Sequence, residues 1–164
     1  MTRRAAMVSL ATLGAVILGA WLPGVPASAA EAPVAACLHA AGDKPAAQER
    51  CIGKVSGACI GPDEGARSDG DVIGCLDGEQ AQWDKLLNAS YQALLKGLEP
   101  EQQAKLREMQ RSWIDARKKS CEFFYDFFQG TMANPMIAYC MNQETARRAI
   151  FLGAFAGDMA DWKK

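Results

Sequence analysis

Glu79-Gln-Ala-Gln-Trp83-Asp84-Lys-Leu-Leu87-Asn88-Ala-Ser-Tyr91 and, after a short break, Gln110-Arg111-Ser-Trp113-Ile114-Asp-Ala-Arg117-Lys-Lys-Ser-Cys121 are the two most strongly patterned runs of the chain. In the first, Trp83, Leu87, Tyr91, Leu94, Leu95 and Leu98 recur at helical spacing and lay one apolar stripe along a helix. In the second, Leu106, Met109, Trp113, Phe124 and Phe128 do the same. Gln110 and Arg117 share that second face. The order Leu106, Gln110, Trp113, Arg117, Cys121, Phe124 advances in steps of 4, 3, 4, 4 and 3. A long polar side chain on a buried stripe needs a partner, because burying it unpaired is costly.

Working outward, a first helix is expected from Gly78 to Lys96, with Gly97 as a left-handed cap. Glu99-Pro100 opens a second, proline being harmless in a first helical turn. It runs to Phe128, and Gly130 ends it. Asn134-Pro135 reads as the N-cap and first residue of a third helix. That helix carries Ile137, Cys140, Glu144, Arg148, Phe151, Leu152 and Phe155 on one side. Short connections make such helices antiparallel neighbours. The expected fold is all-α: a small, disulfide-stapled, antiparallel helical domain of about three main helices, preceded by an irregular, partly helical extension. In that N-terminal part, short helices are expected over 32–41 and 43–58. The Gly- and Asp-rich stretch 62–78 reads as loop, with 72–76 as a turn leading into the helix at Glu79.

The chain opens with Arg3-Arg4, an apolar run from Ala5 to Leu22, and Ala27-Ser28-Ala29 after two prolines. This is the layout of a secretory signal peptide over residues 1–29. Val34-Ala35-Ala36-Cys37 resembles a lipobox, but the apolar run ends well before it, and lipidation would leave an odd cysteine count. Cys37 is therefore read as unlipidated, and no membrane association is expected beyond the leader. Removing Arg3 and Arg4 from 18 basic residues against 19 acidic ones leaves a net charge of −3. Nothing in that balance points to nucleic acid. The six cysteines 37, 51, 59, 75, 121 and 140 include no Cys-x-x-Cys, and His39 is the single histidine. No metal and no cofactor are expected. An exported chain with an even cysteine count reads as disulfide-bonded and as periplasmic or secreted. Cys121 near the end of the second helix and Cys140 early in the third come level in an antiparallel pair, which predicts Cys121–Cys140. The four other cysteines allow three connectivities.

With Cys75, Glu79, Trp83-Asp84, Leu87-Asn88, Tyr91, Gln110-Arg111, Trp113, Arg117 and Cys121, and further on Gly130, Cys140, Thr145, Arg148 and Leu152, the chain resembles the N-terminal domain of the lysozyme inhibitor LprI. The resemblance spans roughly Cys59 to Leu152. It implies a domain over 59–164, with residues 30–58 as an N-terminal extension. It also implies Cys59–Cys75, which leaves Cys37 with Cys51. The implied activity is an exported module that binds and inhibits a lysozyme or other muramidase. The alternative is a cell-envelope interaction protein with another partner and no inhibitory role. Family fold transfers more securely than activity.

Glu79, Trp83, Asp84, Asn88, Tyr91, Gln110, Trp113, Arg117, Thr145 and Arg148 are taken as structural. They are read as a network crossing helices, with Arg117 paired to Asp84 or Glu79, since a guanidinium can tie several acceptors. The aromatics from Phe123 to Phe128 nearly circle their helix, so some are expected at the surface, where such groups often mark a contact site. The turn with Gln129, Gly130, Thr131 and Asn134, stapled by the expected bridge, is the candidate partner-binding element. Asp63, Glu64, Asp69 and Asp71 lack the spacing of a calcium loop and read as solvated. Glu122 and Asp126, one turn apart, are read as ordinary surface carboxylates. With no nucleophile elbow, phosphate loop or metal cluster, the chain is not expected to be an enzyme.

Overall fold

The computed structural model describes residues 32–162; the expected signal peptide lies outside them. The described chain runs α1 (Pro33–Ala41), α2 (Pro45–Glu49), α3 (Lys54–Ile60), a 3₁₀ turn (Glu64–Ala66), α4 (Asp69–Gly97), α5 (Pro100–Phe128) and α6 (Ala133–Trp162), with no strand among these residues. The fold is all-α and stapled by three disulfides.

Local chemistry sets where the helices begin and end. Pro33, Pro45 and Pro100 occupy first turns. Gln102 reaches back to accept the Glu99 N–H at 3.0 Å, as in a capping box. The helix expected over 43–58 is broken in two, because Gly53 takes a left-handed φ of 82° between α2 and α3. The largest departure is at α4, which begins at Asp69 rather than Gly78, so residues 72–76 are helix and not turn. Ser68 Oγ accepts the Asp71 N–H at 3.2 Å, and Asp69 and Asp71 place negative charge in the first turn. Gly70, Gly74 and Gly78 weaken this part of the helix. Burial of Val72, Cys75 and Leu76 on its inner face compensates. Helix α6 begins at Ala133, with Pro135 inside its first turn; Asn134 is therefore not the N-cap, and its N–H goes to the Thr131 carbonyl at 3.1 Å. At the other junction Gly97 is the last residue of α4, and the cap is extended Leu98.

The main core gathers Trp83, Leu87 and Leu94 from α4, Leu106 from α5, and Ala146, Ala149 and Leu152 from α6, together with Val34 and Cys51. Helix α6 turns small residues inward, with Ala138, Asn142, Thr145, Ala146 and Ala149 all buried. Its backbone can therefore lie close along α4, and this is the most extensive helix pairing in the fold. Helix α5 lies against α6 on a narrow stripe, of which Leu106, Gln110 and Cys121 are buried. A second cluster of Val72, Leu76 and Ala138, backed by Ile60 and Ile73, fills the end near the α5–α6 turn. The segment read as an extension sends Val34, Cys51 and Ser56 into the interior.

The disulfides join Cys37 to Cys51, Cys59 to Cys75 and Cys121 to Cys140. The first ties α1 to Cys51, just beyond the end of α2. Each bridge closes a loop of 14 to 19 residues, which the chain-entropy account values at about 3 kcal/mol. Among the described residues no helix is long and apolar enough to cross a membrane.

Gly74 and Gly78 are exposed, and a Cβ at either meets nothing within 4 Å. Replacing both with alanine should stabilise α4 by roughly 0.5–1 kcal/mol each and raise the melting temperature by a few degrees, followed by circular dichroism. A lowered melting temperature would show that this segment is not helical in solution.

Candidate functional site

Glu79 is fully buried on α4. Its Oε1 accepts the Gly53 N–H at 2.7 Å, Trp83 Nε1 at 2.9 Å and Asn142 Nδ2 at 3.2 Å. Its Oε2 accepts the Ser56 N–H at 2.7 Å and Ser56 Oγ at 3.0 Å. One carboxylate thus holds the N-terminal segment and α6 to α4, through partners that are all neutral. Burial alone would raise its pKa; the converging donors outweigh burial and hold the carboxyl below the usual glutamate value. Its stabilisation is complete above the unfolded value of about 4.3 and is lost as pH falls through the lower folded one.

Arg117 does not meet Glu79, nor does it form an ion pair with Asp84, whose charge acts on it only at longer range. Its Nη1 donates to Thr145 Oγ1 at 2.7 Å, and Thr145 Oγ1 in turn donates to the Met141 carbonyl at 2.6 Å. Arg148 Nε donates to Gln110 Oε1 at 3.0 Å. Both cations lie over the Trp113 ring, with guanidinium carbons 4.7 Å (Arg117) and 5.3 Å (Arg148) from its centroid. Burial lowers the pKa of both arginines, and the ring faces offset part of that cost. Gln110, Trp113, Arg117, Thr145 and Arg148 therefore form one assembly between α5 and α6. Asn88 lines a surface groove with Gln110 but is exposed and bonded within its own helix to Asp84 at 3.0 Å. Tyr91 packs half-buried against the main core.

The end of the α5–α6 hairpin has a different character. Cys121–Cys140 crosses it with Cα atoms 5.5 Å apart. Beyond the bridge the chain reverses through Gln129, at a φ of 45°, and Gly130, at 135°. Gln129, Gly130, Thr131 and Asn134 are all exposed. The aromatic run divides: Phe124 and Phe128 stack at 5.8 Å and are half-buried, while Phe123, Tyr125 and Phe127 point outward. Phe127 is 68% and Phe123 59% exposed, and across the turn Met132 and Tyr139 are exposed too. Five large apolar side chains thus stand in solvent around one stapled turn. The N-terminus of α4 reaches the same end, bringing Asp63, Glu64, Asp69 and Asp71 with Arg67, all exposed. Glu122 lies 3.9 Å from Lys118 in an exposed pair, the arrangement of an ordinary helix surface.

Gly53, Ser56, Asn142, Met132 and Tyr139 were not among the sequence candidates. Asn142 could have been found by extending the inward stripe of α6 through 138, 142, 145, 146 and 149. Ser56 and Gly53 act mainly through backbone N–H groups, which leave no side-chain signal. Among the described residues no cluster of histidine, cysteine and carboxylate side chains could hold a metal ion.

The model of one protein family, described as lysozyme inhibitor LprI, matches residues 59–152, more than half of the chain. No curated protein and no solved structure gives a significant match.

Replacing Glu79 with glutamine sets an amide nitrogen among donors and should cost about 2–4 kcal/mol of stability. The same change should flatten the loss of stability on acidification, measured as denaturation midpoint against pH. Arg117→Ala should lower the melting temperature by several degrees, since it removes the donor to Thr145 Oγ1 and one of the two cations packed on Trp113. An unchanged melting temperature together with lost partner binding would instead make Arg117 a contact residue.

Proposed function

The chain belongs to the LprI lysozyme-inhibitor family, and from that membership we propose an exported protein-binding module that holds a lysozyme or similar muramidase with the end of its α5–α6 hairpin. The observation that carries the choice of surface is the exposure of Phe123, Tyr125, Phe127, Met132 and Tyr139 around one disulfide-closed turn. A soluble domain gains nothing for its own stability from aromatic rings in water. Contact sites are where such rings are enriched. The bridge holds the turn before binding, so little ordering entropy is spent on association. The acidic residues around the α4 N-terminus suit a cationic partner and speed encounter with it.

Three disulfides fit an oxidising compartment, and with the leader expected over residues 1–29 they support a periplasmic or secreted location. The role is non-enzymatic: the polar groups that converge at Glu79 and around Trp113 hydrogen-bond mainly to one another, within and across helices.

Purified, oxidised protein added to lysozymes of several types should protect a bacterial cell-wall suspension from clearing at near-stoichiometric amounts. Phe127→Ala should cost about 2 kcal/mol of affinity, close to thirtyfold, with a melting temperature lowered by at most a degree or two, about what the edge-on contact of this exposed ring with Phe128 contributes. A folded protein that protects the suspension from no lysozyme type would turn the reading to a different envelope partner.

A further inference from the structure

Beside the hairpin end lies a groove of about 440 Å³, between the segment from Gly53 to Asp69 and the start of α6. Its size is near the lower end of the range of about 300–1,000 Å³ for ligand sites, enough for a few residues of extended chain but not for a folded element. Ile60, Val72, Leu76, Pro135 and Met136 make its apolar surface, and exposed Tyr139 and Met132 border it. The segment that contributes Ile60 also carries Gly57, Gly61 and Gly65, where an added Cβ meets nothing within 4 Å, so backbone is open to an incoming chain.

The charges at the rim are unequal. Glu64, Asp69 and Arg67 line the groove, and among the described residues neither carboxylate is held in an ion pair. Asp63 and Asp71 flank them, and Arg67 is the one cation among the five. An arginine or lysine side chain has the matching form, an aliphatic stem for the apolar surface and a cationic head for the carboxylates. We propose that this groove is a recognition site for a basic residue flanked by apolar ones in an extended segment of the partner.

This rests on the protein-binding reading for its choice of a cationic protein as partner, but its test needs no muramidase. The probes are acetyl-Leu-Arg-Leu-amide and its Leu-Glu-Leu counterpart, titrated into the oxidised protein while backbone amide resonances are followed. The arginine peptide should move Gly57, Gly61 and Gly65 saturably, and the glutamate peptide should bind at least about tenfold more weakly. Gly57→Leu, at a helical position with free space, should weaken the arginine peptide at least about fivefold by filling the groove, without lowering the melting temperature. Glu64→Lys should do the same by charge.

Equal binding of the two peptides, shifts confined to another surface, or no shifts up to about 10 mM peptide would each overturn the proposal. So would indifference of the arginine peptide to both substitutions. Failure of the clearing assay with a positive titration removes the muramidase and keeps the groove; the reverse result removes the groove alone.

Discussion

An ionised carboxylate with no access to water can persist only if donors replace its hydration, and that constraint organises the fold around Glu79. Five hydrogen bonds meet its two oxygens, and they come from α4, from α6 and from the segment that precedes α4. Each donor has to be delivered to within about 3 Å, so the carboxylate fixes the relative position of three parts of the chain. Hydrophobic contact alone would tolerate sliding of α3 along α4. Two backbone N–H groups presented to one carboxylate do not. The small residues of α6 belong to the same constraint, because Asn142 reaches Glu79 only if α6 lies close.

The second polar assembly solves a different problem. Helix α5 contributes one narrow buried stripe, and its middle is occupied by Gln110, Trp113 and Arg117 rather than by aliphatic side chains. Arg117 and Arg148 both pack on the indole ring, and each hands a hydrogen bond to the opposite helix, to Thr145 and to Gln110. Such directional bonds set the register of α5 against α6. Farther along, Cys121–Cys140 fixes the register covalently. The hairpin end is thereby held by interactions that do not use its own outward side chains, which are free to serve another purpose.

The three long helices were legible because apolar spacing at 83, 87 and 94, and at 106, 113, 124 and 128, is the direct trace of a buried stripe. The Pro and Gly signals at 100 and 130 bounded the second helix well. The first two and a half turns of α4 were obscured. Gly70, Gly74 and Gly78 imitate a loop by composition, and the cap at Ser68 with Asp71 three residues on is the signal that outweighs them. Arg117 donates to Thr145 and not to Asp84 or Glu79, the acceptors its sequence position suggests. A one-dimensional pattern shows which residues share a face, not which of several acceptors on the opposing helix lies level with them. The partners of Glu79 from 53 and 56 were out of reach for a related reason, since a backbone N–H is present at every residue and marks none of them.

The residues that carry the family resemblance are mostly those that face inward. Cys75, Glu79, Trp83, Gln110 and Cys121 are buried, as are Thr145 and Leu152; Trp113, Arg117, Cys140 and Arg148 are half-buried. Gly130, the member of that set in the turn itself, takes a φ of 135° that other residues rarely adopt, so its place too is explained by backbone shape. Phe123, Tyr125, Phe127, Met132 and Tyr139 lie outside the set, and so do the residues lining the groove. The resemblance thus specifies how the scaffold is held and is silent on what the exposed end touches. A partner for this chain is to be argued from the rings, carboxylates and open glycines at that end, where the side chains contribute least to the fold that presents them.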